Sequence, residues 1–276
     1  MLSLFLLSRR ISVSLVVPMA ELIVLCVSAF LTSLLTFFSG FGLGTILLPV
    51  FAIFFPVEVA IALTGVVHFL NNLFKLSLLG LNADREVVLR FGIPAFIAAF
   101  AGAWLLLQMT DMKPVYEYSL GERSYAITPL KLIISALLML FTFMEVVPFL
   151  KNVQFGKDKL IIGGILSGFF GGLSGHQGAL RSAFLIKCGL SKEAFIATGI
   201  AIACMVDLSR LGVYIKGFSE SQLGKNMVLV IGATVSAFVG AYVGNRFIKS
   251  VTLNTVQIVV SVMIFILAIA LGLGIV

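Results

Sequence analysis

Apolar segments run along the chain at about 20–38, 45–55, 58–79, 87–108, 129–148, 160–171, 179–190, 193–215, 225–247 and 253–276. A helix rises 1.5 Å per residue and the hydrocarbon core of a bilayer takes about 20 residues to cross, so most of these segments predict spanning helices. Three do not: 45–55, 160–171 and 179–190 would reach only roughly 16–18 Å as helix, about half the membrane. The short pieces flank two polar, glycine-bearing interruptions, Ser39-Gly40-Phe41-Gly42-Leu43-Gly44 and Gly171-Gly172-Leu173-Ser174-Gly175-His176-Gln177-Gly178. Non-helical backbone at membrane depth has to be buried in protein or line a wet cavity. Two interruptions therefore predict an internal site.

The interruptions are related to each other. A shift of 135 residues carries Glu58 onto Glu193, Ser39-Gly40 onto Ser174-Gly175, and Asn72-Leu-Phe-Lys75 onto Asp207-Leu-Ser-Arg210. Ala99-Phe-Ala-Gly102 matches Ala237-Phe-Val-Gly240 after a small insertion. Duplication with interrupted helices at matching places is the sequence sign of a secondary transporter, whose site lies near the midplane where half-helix ends meet. The expected fold is an all-α polytopic transmembrane bundle of two inverted repeats, each with a broken or re-entrant helix. The predicted divisions are an uncleaved N-terminal extension (1–21), a first repeat (22–150) and a second (151–276).

Charge placement bears on orientation. Lys157 and Lys159 precede the second interrupted segment and Lys187 and Lys192 follow it, which puts both flanks in the cytoplasm. Each half then has one re-entrant hairpin and three crossings, and an odd number of crossings inverts the halves. Arg246 and Lys249 fall inside, and a long acidic loop over 109–128, with Asp111, Glu117 and Glu122, falls outside. Arg9 and Arg10 fit this scheme poorly and leave the side of the N-terminus open.

Composition agrees with a lipid setting. Hydrophobic residues make up 60% of the chain and charged residues 11%, against about a quarter charged in a soluble domain. Mean hydropathy is +1.16. The net charge of +7 reads as loop charge that orients the spans, and secondarily as attraction for anions. Cys26, Cys188 and Cys204 lie in apolar segments with no CxxC, so disulfides are not expected.

The pattern Ser-Gly-Phe-Gly-x-Gly (39–44), Pro49, then Pro-x-Glu (56–58) opening a long helix resembles the sulfite exporter TauE/SafE family. The second copy, Gly-Gly-Leu-Ser-Gly-His-Gln-Gly-Ala-Leu-Arg (171–181) followed by Leu-Ser-Lys-Glu-Ala-Phe (190–195), is similar too, and the likeness runs from about 22 to 250. The resemblance implies export of sulfite, sulfoacetate or a related small organosulfonate, and residence in a bacterial inner (cytoplasmic) membrane. His176-Gln177 departs from the commoner glycine-rich interruption, which leaves the substrate open.

Among the residues themselves, Arg181 stands out. A guanidinium near the midplane costs several kcal/mol unless paired or solvated, and its planar fork suits sulfonate, sulfite or carboxylate oxygens. The alternative is an ion pair with Asp207. His176 and Gln177 could donate to the same anion, and His176 could carry a coupling proton. Ser39, Gly40, Gly42, Ser174 and Gly175 let free backbone N–H groups approach a ligand at half-helix starts, or serve only close helix packing. Asp207 and Arg210 share a helix face and largely neutralise each other. Asn72 and Lys75 lack that acid, so Lys75 either binds an anion or snorkels to the interface, the simpler account. His68 beside Asn71 and Asn72 is a further candidate, weighed against a structural role.

Enzyme motifs such as HExxH, CxxC, a Walker loop or a nucleophile elbow are missing from the sequence. The histidine spacing is no metal signature, no cofactor is called for, and no basic soluble domain favours nucleic acid. The expected partners are a small anion and the bilayer, with a proton as coupling ion and a homodimer both compatible. The rival readings are an anion channel of the same fold and a membrane-embedded sulfur-relay component.

Overall fold

The computed structural model describes residues 19–37, 43–147, 154–217, 226–247 and 253–276. Helices dominate: α1 (Met19–Thr36), α2 (Leu43–Phe54), α3 (Val57–Leu79), α4 (Arg85–Thr110), α5 (Pro129–Val146), α6 (Leu160–Ser174), α7 (Gly178–Leu185), α8 (Lys192–Gly217), α9 (Met227–Phe247) and α10 (Leu253–Gly272). Among the described residues α1, α3, α4, α8 and α9 are long and apolar enough to cross a membrane. At 12 and 8 residues, α2 and α7 reach only about 18 and 12 Å.

Burial follows the rules of a lipid solvent. Large apolar side chains face outward, as at Ile97 (64% exposed), Trp104 (58%) and Ile231 (55%). The interior instead holds Asn71, His68, Lys75, Arg181, Asp207 and Arg210. Ionisable groups within a bundle face inward, because lipid solvates them far worse than other helices do. The chain is an integral membrane protein.

Small residues bring backbones together, the packing that membranes favour in place of a hydrophobic drive. On α6, Gly164, Gly168 and Gly172 lie one turn apart against Phe91, Ala95 and Ala99 of α4, and a Cβ at any of them would strike a carbonyl oxygen. Gly102 of α4 faces Phe169 in the same way. On α9, Gly240 meets the carbonyl of Phe30 on α1, and a Cβ at Gly244 would sit 3.0 Å from that of Leu34. The main helix contacts are α4 with α6, α1 with α9, α5 with α10, α4 with α8 and α3 with α8.

Two local expectations change. Over 109–128 the chain forms an exposed antiparallel hairpin, β1 (Tyr116–Leu120) and β2 (Arg123–Ile127), rather than an irregular loop. Alternating Tyr116, Tyr118, Tyr125 and Ile127 suit strands, and Gly121 supplies the left-handed turn residue (φ 62°). The hairpin is tied down where Tyr118 Oη donates to Leu273 O (2.6 Å) and Lys131 Nζ to Ala126 O (3.1 Å). The second interruption is also shorter than its glycines imply. Gly171–Ser174 stay helical because those glycines serve packing, and the helix stops only at Gly175, a left-handed C-cap (φ 78°) whose N–H bonds Gly171 O at 3.0 Å. Residues 1–18, including Arg9 and Arg10, lie outside the described residues, as do Lys249 and, in the first interruption, Ser39, Gly40 and Gly42.

Candidate functional site

Helix α3 carries polar residues in one stripe: Thr64, His68, Asn71, Asn72 and Lys75, spaced by three, four and seven. Helical periodicity puts them on one side, and α8 lies opposite with Asp207 and Arg210. His68 Nδ1 sits 2.6 Å from Asp207 Oδ2, both side chains almost wholly buried. Arg210 Nε donates to Asp207 Oδ1 at 2.9 Å, with Nη2 at 2.8 Å from the same oxygen. Asn72 Nδ2 stands 3.2 Å from each ring nitrogen of His68, and Ser33 Oγ of α1 donates to Asn71 Oδ1 at 3.1 Å.

Glycines make room for the Arg210 guanidinium. A Cβ at Gly65 would come 3.2 Å from Arg210 Cζ, and one at Gly175 would come 2.9 Å from Nη1. Arg210 therefore reaches from α8, past α3, to the turn between α6 and α7. Gly44, the last residue of the first interruption, packs there too. Its Cβ position is 3.8 Å from Gly175 O and 3.7 Å from both His68 Cδ2 and Thr64 Cγ2. The end of the first interruption thus meets the second inside the bundle.

Around the second interruption, Ser174 Oγ donates to Phe170 O (2.9 Å) and accepts from His176 N (3.3 Å). The His176 ring lies flat beside Phe141, with Nδ1 3.2 Å from Ser174 O. Gln177 O accepts from Ser167 Oγ, and no side chain caps the first turn of α7. Arg181 follows one turn later, and its Nη1 donates to Gln177 Oε1 over a long 3.4 Å. The buried atoms His176 Nε2, Gln177 Nε2, Asn71 Nδ2 and Thr64 Oγ1 have no hydrogen-bond partner among the described residues. Such orphans mark places where water or a ligand completes the bonding.

One cavity of about 40 Å³ gathers part of this set. His68, Asn72, Lys75, Arg181, Ser182 and Gly199 line it, with Thr36, Phe37 and Leu43 at the edge of the first interruption. Lys75 does not snorkel. Only 4% of it is exposed, and its Nζ lies 5.5 Å from the centre of the Phe37 ring. Arg181 is 7% exposed and does not pair with Asp207, which is already taken by Arg210 and His68. Among the described residues neither cation has a carboxylate within salt-bridge distance.

The candidates therefore fall into two groups. His68, Asn72, Lys75 and Arg181 line the cavity, with Asp207 directly behind His68. Arg210, Ser174, Gly175, His176 and Gln177 surround the turn beside it, and Gln177 touches the cavity only through Arg181. Phe37, Ser182 and Gly199 are additions the sequence reading lacks. Ser182 could have been found as the neighbour of Arg181, and Gly199 as a small residue in a span, 3.4 Å from Arg181 Nε at its Cβ position. No group of three or more His, Cys, Asp or Glu suited to a metal occurs among the described residues.

A family model described as "Sulfite exporter TauE/SafE" matches residues 25–271, nearly the whole chain. No curated protein matched.

Proposed function

The chain belongs to the sulfite exporter TauE/SafE family, and on that premise we propose that it is a secondary transporter that exports a small anion such as sulfite, sulfoacetate or a related organosulfonate. One observation carries this reading: Lys75 and Arg181 line the same buried cavity, and among the described residues neither has a carboxylate within salt-bridge distance. A lone buried cation costs a few kcal/mol, and an anion would offset both. Arg181 offers a fork of donors and Lys75 a point charge. The uncapped start of α7, one turn before Arg181, adds the positive end of a helix dipole.

The carrier form of the reading rests on how the helices pair. We assign α1–α5 to a first half (22–150) and α6–α10 to a second (151–276), inverted with respect to each other. The first helix of each half packs on the fourth helix of the other: α1 on α9 and α6 on α4. The two polar helices, α3 and α8, face each other. Rocking of such halves about a central site gives alternating access, and the small size of the cavity favours a carrier over an open channel. Ser39, Gly40 and Gly42 would complete the site from the first half, Ser174 and Gly175 from the second. A proton is the coupling ion in this scheme, the membrane is the bacterial cytoplasmic one, and pairing of two copies leaves the site unchanged.

A thermal-shift screen of small anions on the purified protein tests the proposal. Sulfite, sulfoacetate or another sulfonate should raise the unfolding midpoint, with saturation, more than chloride does. A midpoint indifferent to all of them would remove the anion from the account.

A further inference from the structure

We propose that the His68–Asp207 pair binds the proton that travels with the anion, which makes the chain a proton–anion co-transporter. The inference rests on the transport reading above and gives it a coupling site. The sequence alone points to His176 for this role, but the geometry points elsewhere. His176 does not line the cavity, and its Nδ1 faces a backbone carbonyl, that of Ser174. His68 has a wall of the cavity on one side and Asp207 on the other, 2.6 Å from Nδ1.

This placement allows a simple proton reaction. With Nδ1–H donated to Asp207 Oδ2, the ring nitrogen Nε2 accepts from Asn72 Nδ2 at 3.2 Å. One proton from the water on the side of anion entry adds to Nε2 as the Asn72 amide turns to offer Oδ1 instead of Nδ2, giving an imidazolium held by the Asp207 carboxylate. On the other side the N–H breaks and the proton returns to a water oxygen, which leaves the ring as it began. The pair also joins α3 to α8, so its charge acts on the contact between the proposed halves.

The charged groups around His68 come from several elements. Lys75 lies on the same helix, about two turns along the same face. From α8 come Asp207, Arg210, Cys204 and Tyr214; from the turn and α7 come His176 and Arg181. Helix α2 has no titratable residue, α1 presents Ser33 and Thr36, and the titratable Tyr242 and Arg246 of α9 are exposed. Three cations thus share the centre with one carboxylate. An anion in the cavity and the proton on His68 carry opposite charges and attract each other. Whatever factor the anion adds to proton affinity, the proton adds to anion affinity. The two ligands therefore move together.

Proteoliposomes containing a pH dye test this with radiolabelled sulfoacetate as the probe. Anion movement should carry about one proton per anion, the capacity of a single imidazole, and an acid compartment should drive sulfoacetate out of it; across a cytoplasmic membrane, acid on its outer side, export then runs on the anion's own outward gradient against that of the proton. Sulfoacetate movement without protons overturns the proposal and leaves the transport reading standing. If wild type moves neither sulfoacetate nor sulfite, the transport reading fails and this proposal falls with it. In His68→Gln the proton-to-anion ratio should drop to zero, whereas in His176→Gln it should hold even where the rate falls. The opposite pattern overturns the assignment. Should His68→Gln carry too little anion for a ratio, nitrogen-15 NMR of the histidines decides, because the chain has only two. Added sulfoacetate should turn the signal missing from the His68→Gln spectrum into that of an imidazolium. If both rings stay neutral, the proposal is overturned.

Discussion

Gly44 and Gly175 stand against each other in the middle of the bundle, the Cβ position of the first 3.8 Å from the carbonyl oxygen of the second. They end and begin interruptions 131 residues apart in the chain. Backbone brought together in this way, with Arg210 alongside Gly175 and His68 alongside Gly44, makes the polar centre on which the functional reading depends.

The two unpaired cations should both matter for binding, to different degrees. Arg181→Ala removes a charged hydrogen-bond fork, and Lys75→Gln removes a point charge. Each should weaken sulfoacetate binding roughly 10- to 100-fold, the range for a charge-assisted hydrogen bond. Arg181→Lys should recover only part of the loss, since it keeps the charge but not the fork. Isothermal titration of the purified variants measures all three. A Lys75→Gln variant that binds as wild type does would return that lysine to a packing role.

Gly175→Ala should destabilise the protein by more than Gly189→Ala. Both glycines have positive φ, 78° and 69°, so an alanine at either costs about 1–2 kcal/mol. Only at Gly175 does the added methyl also meet Arg210, at 2.9 Å, whereas nothing lies within 4 Å at Gly189. Thermal midpoints of the two variants, measured side by side, give the difference.

Alanine substitution of helix glycines should change sign with position. At Gly168 and Gly240 a methyl group strikes the carbonyls of Ala95 and Phe30, and overpacking of this kind costs about 1–3 kcal/mol. At Gly212 nothing lies within 4 Å, and alanine should stabilise α8 by about 0.8–1 kcal/mol through helix propensity. The same thermal assay reads both signs.

Asp207→Asn should be among the most damaging single changes in the interior. It leaves Arg210 buried without its carboxylate, a loss of about 3–5 kcal/mol when one partner of a buried pair is removed. The double variant Asp207→Asn/Arg210→Met should recover part of that loss in folded yield and thermal midpoint. A double variant no better than the single one would mean that Asp207 acts through His68 alone.

The sequence makes the helices legible because lipid imposes a length on every apolar segment. Segments at 58–79, 193–215 and 225–247 correspond to α3, α8 and α9 within a few residues. The interruption at Gly175 is readable from its glycines, but its extent is not, since Gly171 and Gly172 serve helix packing and look the same in sequence. The hairpin over 116–127 is hidden by its charges, which mask the alternation of Tyr116, Tyr118 and Tyr125. In the site, the pairing of Asp207 with Arg210 follows from a spacing of three. Its second partner, His68, is 139 residues away, beyond any local rule. The burial of Lys75 depends likewise on Phe37 and α8 closing over it, which a single helix cannot reveal.

The most direct measurement is a cryo-electron microscopy map of the protein in saturating sulfoacetate. The account predicts density for the anion between Lys75 and Arg181, beside His68 and within the cavity that Ser182 and Gly199 help to line. Density for the anion at another place, with that cavity holding only water, would contradict it.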